Sequence, residues 1–457
     1  MGCGENCGSF NRPLATYTYD LNGNRIGKNL ENGTVTSYSY DNASRLTQMK
    51  HTKGVTTLAQ FDYTLNNVGN RTTKNATGSI PNRNESYAYD AIDQVTGTTA
   101  TGTNPNTQTF AYDAAGNRTS VGATNAAPGT GTYTTNALNQ YTALGAEVLL
   151  YNINGNLTTQ GLSASYSYDS KNRLIGATKG TETFSATYDY RNRQVSRTTN
   201  NGISYPIYDG WNLIGGYAAN GSMWQKHIHG AATDEILAKI DWTGTVYYHS
   251  DGLGSTVALT NSLGNVVESY LYDVYGKPTV LNASNTVITA SAFGNRFLFT
   301  GREWIRRIEI YDYRNRVYSP DLGRFLQTDP IRFDAGDVNT YRYVGNGVTQ
   351  LTDAMRLCPD DAEWEEEDKE FDPKPEPKPR SHNHYPRAIS PCLPRYDYKF
   401  VRLISNDLAR DFLTISATGL TTGLLIYSRI GAAYSITGGA AVGAMVNNIG
   451  TMKCVKK

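Results

Sequence analysis

At 457 residues, with 42 Lys+Arg against 41 Asp+Glu, the chain carries a formal net charge of +1, so no global field draws it to nucleic acid and no nucleic-acid partner is expected. Its 33 Tyr, 44 Gly and 39% hydrophobic residues suit an extended β-sheet with one wet face and fit poorly with a compact helical core. Five scattered cysteines, Cys3, Cys7, Cys358, Cys392 and Cys454, support neither a disulfide framework nor a four-cysteine zinc site.

Residues 1–14 form an N-terminal segment with a Gly-rich start and no apolar stretch behind it. No signal peptide is visible, so export is expected to need a dedicated machine or a missing N-terminal part.

From 15 to 240 one phrase keeps returning: Tyr-Asp, a few residues, then Asn-Arg. It reads Tyr19-Asp20…Asn24-Arg25, Tyr112-Asp113…Asn117-Arg118, Tyr168-Asp169…Asn172-Arg173 and Tyr188-Asp189…Asn192-Arg193, with a variant at Tyr40-Asp41…Ser44-Arg45. Weaker copies sit at Tyr63…Asn70-Arg71, Tyr89-Asp90, Thr135-Asn136, Tyr151-Asn152 and Tyr208-Asp209. A spacing near 20 residues marks a repeat array. Runs such as Thr34 to Tyr40 alternate rings with small polar residues, the pattern of a strand with one packed face.

Asp at the start of each turn can accept backbone N–H bonds two residues on. Gly or Asn near its end, as in Gly23-Asn24 and Gly116-Asn117, tolerates the left-handed backbone of a hairpin turn. Arg starts the return strand within reach of a carboxylate on its own or a neighbouring turn. The tyrosines, in register across units, are expected to stack as cross-strand pairs. All these residues are expected to hold hairpins together rather than to catalyse. His227-x-His229 and His382-x-His384 lack a third ligand and are read as solvated loop residues, with no metal or other cofactor expected.

The phrase changes over 241–357. Tyr247-Tyr248-His249-Ser250-Asp251-Gly252-Leu253-Gly254 leads to Tyr270-Leu271-Tyr272-Asp273 and Phe297-Leu298-Phe299-Thr300-Gly301-Arg302-Glu303. Tyr311-Asp312-Tyr313-Arg314-Asn315-Arg316 then leads through Leu322-Gly323-Arg324-Phe325 to Thr328-Asp329-Pro330 and Asn339-Thr340-Tyr341-Arg342-Tyr343. This order resembles the core domain of Rhs/YD-repeat proteins, a bacterial polymorphic-toxin family that includes the C subunits of insecticidal toxin complexes. The resemblance covers roughly residues 15–357.

The resemblance implies a mainly-β fold: an antiparallel hairpin sheet spiralling into a partial or complete hollow shell, plugged at one end by the core. A variable C-terminal cargo would sit inside. It further implies a single self-cleavage at an aspartic-protease-like site. Matched by motif, the site falls on Arg316, Asp329 and Asp353, with the cut after Leu357. Two carboxylates held close cannot both ionise freely, so one serves as acid while the other activates water. The family phrase Asp-Pro-x-Gly-Leu is here Asp353-Ala354-Met355-Arg356-Leu357, and Tyr311–Arg316 repeats Tyr188–Arg193 residue for residue. A retained site and an inactive core of turn residues therefore both stay open.

Residues 358–396 read as a linker: from Asp360 to Arg380 ten acidic residues face four basic ones, and Pro-Lys-Pro-Glu-Pro-Lys-Pro spans 373–379. Residues 397–457 form the variable C-terminal region. Its stretch 413–449 holds one charge, Arg429, with glycine pairs at Gly419/Gly423 and Gly439/Gly443. A bilayer core takes about 20 apolar residues, and small residues let membrane helices pack. A small helical, membrane-inserting effector is expected there, against an Ala/Gly-rich soluble helical pair. The leading function is thus toxin delivery, with an immunity protein and a secretion-machine component as partners. A surface adhesin with a C-terminal anchor and an enzymatic, nuclease-like toxin are the alternatives. Either toxin reading places the chain outside the cell or at its surface.

Overall fold

The structure, a computed structural model, describes residues 14–125 and 128–353 and six short strands between 399 and 454. One sheet of 27 strands runs from Ala15–Tyr19 to Val287–Ile288, each strand antiparallel to the one before it. The sheet passes through residue 240 without a break, pairing Ile236–Asp241 with Gly244–Ser250. Helical structure among the described residues is confined to three short 3-10 turns.

The turns are built as the repeat chemistry predicts. Oδ1 of Asp20 accepts the N–H groups of Asn22 at 3.0 Å and Asn24 at 2.8 Å. Asp113 does the same for Ala115 and Asn117, both at 2.9 Å. The fourth residue is left-handed, Gly116 at φ 72° and Asn172 at φ 62°. The weak copy after Tyr63 starts its turn at Asn66, whose amide oxygen takes the N–H groups of Val68 and Asn70. A register shift precedes the turn in each repeat, as at Thr18/Tyr19 and Ser167/Tyr168. Such bulges raise local twist, which accumulates along the sheet and curls it.

The repeat arginines divide by one residue of spacing. In five-residue phrases Arg pairs with the Asp of its own turn: Arg45 with Asp41 at 2.7 Å, Arg173 with Asp169 at 2.6 Å, Arg193 with Asp189 at 2.8 Å. In six-residue phrases Asn takes that place, Asn24 on Asp20 at 2.9 Å and Asn117 on Asp113 at 2.8 Å. The next residue, Arg, then points to the opposite face. Arg25 reaches Glu235 at 2.8 Å, Arg71 the Thr349 carbonyl at 2.9 Å and Arg118 the Asp321 carbonyl at 3.1 Å.

The tyrosines act differently from the predicted ring stacks. Tyr40 donates its hydroxyl to the Arg25 carbonyl at 2.8 Å, Tyr112 to Val95 at 2.6 Å and Tyr188 to Leu174 at 2.6 Å. Each is a staple to the start of the preceding strand. Close ring pairs concentrate instead in the core, where Tyr311, Tyr313, Tyr318, Phe325 and Tyr343 lie with centroids 4.5 to 6.5 Å apart.

The curled sheet meets itself through side chains. Leu14, Ala15 and Leu30 pack with Leu237, Ala238 and Tyr247. Glu235 holds Arg25 and Lys28, at 2.8 and 3.2 Å, and Asp251 holds Lys74 at 2.9 Å. His51 joins the same seam, its Nε2 2.8 Å from the Ser250 carbonyl. His227 and His229 lie on the strand Met223–His229 rather than in a solvated loop: His227 is buried against the Phe297 ring, and His229 Nε2 bonds the Leu213 carbonyl at 2.8 Å. Apolar neighbours recruited from distant sequence bury a residue that local polarity placed outside. His382 and His384 lie outside the described residues.

Residues 297–350 fill the rim formed by the repeat turns. Their short strands Glu303–Ile305, Ile310–Asp312, Val317–Ser319 and Arg324–Phe325 form a four-stranded sheet. Successive turns grip this plug in order. Asn70 accepts from Gln350, Gln94 and the Gly116 carbonyl from Asn346, Asn117 from Asn339 and Arg324, the Gly155 carbonyl from Tyr341. Residues 297–350 thus pack along a row of repeat turns, whereas 244–288 continue the main sheet.

The C-terminal region, expected to be helical, is described only at strands: Lys399–Ile404, Asp411–Ser416, Leu424–Tyr427 and Ala433–Ile436 as one antiparallel sheet, and Ala444–Asn447 with Thr451–Cys454 as a hairpin. Glycines at 419, 423, 431, 438 and 439 cut the apolar run into pieces of strand length, which favours pairing over a continuous helix. Among the described residues no helix is long and apolar enough to cross a membrane. The linker 358–396 and Leu357 lie outside the described residues.

Candidate functional site

The three residues matched by motif come together at one point. Arg316 is 3.0 Å from Asp329 through Nη1 and 3.1 Å from Asp353 through Nη2. All three side chains are at most 4% exposed. Asp329 and Asp353 come from opposite ends of the plug's last loop, and the described part of the plug ends at Asp353.

Each side chain has a structural reason for its place. The Asp329 amide donates to the Thr340 carbonyl at 2.9 Å, and its Oδ1 accepts the Ile331 N–H across Pro330 at 3.1 Å. The turn chemistry of an Asp-Pro phrase therefore aims the second carboxylate oxygen at Arg316. The Arg316 guanidinium carbon lies over the Phe325 ring, 3.6 Å from its centroid, which helps hold it in place. One cation shared by two acidic side chains offsets part of the cost of taking these groups out of water.

Arg316 is no ordinary repeat arginine, although Tyr311–Arg316 copies Tyr188–Arg193. In the repeat, the Asp189 amide closes on the Arg193 carbonyl at 2.9 Å and Asn192 is left-handed at φ 62°. In the plug, the Tyr313 amide closes on the Arg316 carbonyl at 2.9 Å and Arg314 is left-handed at φ 69°. Asp312 is meanwhile occupied, its Oδ2 by Gln194 at 2.7 Å and its carbonyl by Arg302 at 2.8 Å. The turn is tighter by one residue, closing on the third rather than the second residue of the hexapeptide, and Arg316 is directed forward to Asp329 and Asp353.

A hydroxyl relay that sequence reading missed backs the site. Thr300 Oγ1 lies 2.8 Å from the Tyr313 hydroxyl, itself 3.0 Å from the Tyr343 hydroxyl. Tyr343 is fully buried, and burial, with the charge of nearby Asp353, raises its pKa. It stays a neutral donor at any ordinary pH. The signal was present only as Tyr341-Arg342-Tyr343, one of many Tyr-rich phrases, so nothing local marked it out.

On the open side of Asp353 lies a cavity of about 320 Å³, with Thr352 and Asp353 in its wall beside Leu46, Met49, Leu253 and Phe297. The arrangement offers two carboxylates, a cation, a hydroxyl donor and space for a peptide. That set can hold a carbonyl and move a proton. Among the described residues no group of three or more His, Cys, Asp and Glu is placed to hold a metal ion.

Comparison with known proteins bears on the family and the fold. The family described as Teneurin YD-shell matches residues 60–347, and RHS Repeat matches residues 19–56. The chain is 29% identical over 215 residues to the tRNA nuclease WapA of Bacillus subtilis strain 168, covering 45% of this chain and 9% of that protein. It is 30% identical over 102 residues to Double-stranded DNA deaminase toxin A of Burkholderia cenocepacia strain H111, covering 22% of this chain and 7% of that one. The crystal structure of TcdB2-TccC3 superposes with a TM-score of 0.62 at 18% identity, over 74% of this chain and 19% of that one. The chain thus spans less than a fifth of the length of each of these three proteins.

Proposed function

The chain belongs to the Teneurin YD-shell family, and from that premise we propose that it is the shell of a polymorphic toxin that cuts itself once, after Leu357, to free a C-terminal cargo. The observation that carries this reading is Arg316 bridging Asp329 and Asp353 in the last described turn before the predicted cut. The relatives it resembles are named as toxins or nucleases, which supports delivery as the task of the shell.

In this reading one carboxylate takes a proton from water as its oxygen bonds the Leu357 carbonyl carbon. The other, protonated, gives a proton to the departing Cys358 nitrogen as the C–N bond breaks. Arg316 keeps both carboxyls at the same place, and arrival of the carbonyl displaces one of its ion pairs. Purified protein should run as two pieces, the smaller with the mass of residues 358–457, while Asp329→Asn should stay whole. A wild type that remains intact on prolonged incubation would defeat the reading.

For the cargo, the apolar run 413–449 supports action at a membrane, with an immunity protein in the producing cell and export through a secretion machine. An enzymatic cargo is the second reading, favoured by the nuclease and deaminase names of two relatives. Expression of 397–457 in bacteria separates them: loss of membrane potential before any nucleic-acid damage supports the first, and the reverse order the second.

A further inference from the structure

We infer that the cavity lined by the strands Gly202–Asp209 and Pro278–Asn282 and by the plug binds a small organic acid, its carboxylate on Arg296 and its apolar body against Ile203, Val280, Val287 and Ile288. The cavity shares no residue with the Arg316, Asp329 and Asp353 site, so it stands or falls without the self-cleavage reading.

The cavity is of ligand size and has apolar surface left to cover. Its volume of about 620 Å³ lies within the roughly 300–1,000 Å³ of small-molecule sites. Ile203, Val280 and Ile288 are half-buried and Val287 is 62% exposed. An apolar body placed there gains from leaving water.

The polar wall is one anion short. Glu303 takes Nη2 of Arg197 at 3.0 Å and Nη1 of Arg296 at 2.8 Å, so two guanidiniums share one carboxylate. The neighbouring charges, Arg302 and Arg314 against Asp234 and Asp312, balance and leave that excess standing. The remaining edge of Arg296, Nε with Nη2, is buried and meets no acceptor among the described residues. That edge holds two N–H groups in the parallel fork that a carboxylate accepts bidentately. Burial, opposed by Glu303 and reinforced by Arg197, lowers the Arg296 pKa from its ordinary value, the direction expected of a cation short of counter-charge.

Other cations of the wall are already matched, Lys277 with Glu309 at 2.9 Å and Asp321 at 3.1 Å, and Arg307 with Glu182. Arg306, exposed in the same lining, adds to the positive field. An anionic occupant is therefore drawn to Arg296. The Trp224 indole lies over this guanidinium, 4.6 Å from the ring centroid, with its own Nε1 buried and unpartnered. Turning that half-buried ring aside opens the fork to the cavity and releases the indole N–H to a partner. Entry of the acid thus satisfies donors that the ring's place over Arg296 leaves without one.

Calorimetric titration of the full chain with phenylacetate, indole-3-acetate and octanoate, each beside its neutral amide, tests the site. At least one acid should bind saturably, and its amide at least tenfold more weakly. Arg296→Met should weaken that acid at least tenfold, and the fold should hold because Glu303 keeps Arg197. Ile288→Trp fills the cavity without touching a charge and should weaken the acid as much, which keeps the test decisive if Arg296→Met does not fold. Saturable binding by none of the three acids overturns the proposal. An amide that binds as well as its acid, or an affinity unmoved by Ile288→Trp, overturns it too.

Discussion

Arg118 donates to the backbone carbonyl of Asp321 at 3.1 Å, 203 residues further along the chain, and its guanidinium lies 3.9 Å from the Tyr275 ring centroid. A repeat residue thereby holds the plug in the rim. Such anchors make the shell and its plug one cooperative body, so disturbance of either should be felt at the Arg316 site.

The two arginine classes should differ in energy. Arg118→Met takes one of its donors from the buried Asp321 carbonyl and the cation from the Tyr275 ring, at a cost of about 1–3 kcal/mol. Arg193→Met removes only a partly exposed pair and should cost under about 1 kcal/mol. Denaturant unfolding of the two variants checks the difference; equal losses would show that the one-residue offset has no energetic meaning.

Arg316→Met should be among the most destabilising single changes. It removes the buried cation that Asp329 and Asp353 share, a loss of about 3–5 kcal/mol. Adding Asp329→Asn and Asp353→Asn should recover most of that loss, since the like charges disappear. If the triple variant is no more stable than Arg316→Met, the arginine matters for packing on Phe325 and not for charge.

Acid should open the seam where the sheet meets itself. Burial lowers the His51 pKa from 6.5 to about 3. Burial alone would raise Glu235, but Lys28 and Arg25 outweigh it and bring its carboxyl from 4.5 down to about 2. In both cases the unfolded chain binds the extra proton. The stabilisation is therefore full above the unfolded values and is lost as pH falls, from 6.5 toward 3 for His51 and from 4.5 toward 2 for Glu235. His51 alone contributes a slope of about 1.4 kcal/mol per pH unit. His51→Gln should flatten the stability profile between about pH 6 and pH 5 by that amount, measured by denaturant midpoints.

Gly323 and Gly180 are both left-handed, at φ 65° and 59°, but only Gly323 is enclosed. A Cβ there would run into the Arg118 guanidinium, whereas at Gly180 it would meet nothing within 4 Å. Gly180→Ala should cost about 1 kcal/mol of backbone strain. Gly323→Ala adds overpacking of about 1–3 kcal/mol and displaces the anchor. Thermal melts of the two variants give the comparison.

The hairpin array was legible in the chain alone, because Asp, the left-handed Gly or Asn and the alternating strands act within a few residues of one another. Arg316, Asp329 and Asp353 could also be assigned to one site in advance, through a phrase order that survives in the chain. What lay beyond was set by distant neighbours. The hexapeptide at 188–193 and at 311–316 forms two different turns, because Gln194 and Arg302 occupy Asp312 in the plug. The tyrosines became staples rather than stacks, and His227 went inside against Phe297, for the same kind of reason. Local turn chemistry depends on bonds the residues carry with them, whereas the direction of Arg316 and the cavity beside Asp353 exist only once strands hundreds of residues apart have closed around the plug.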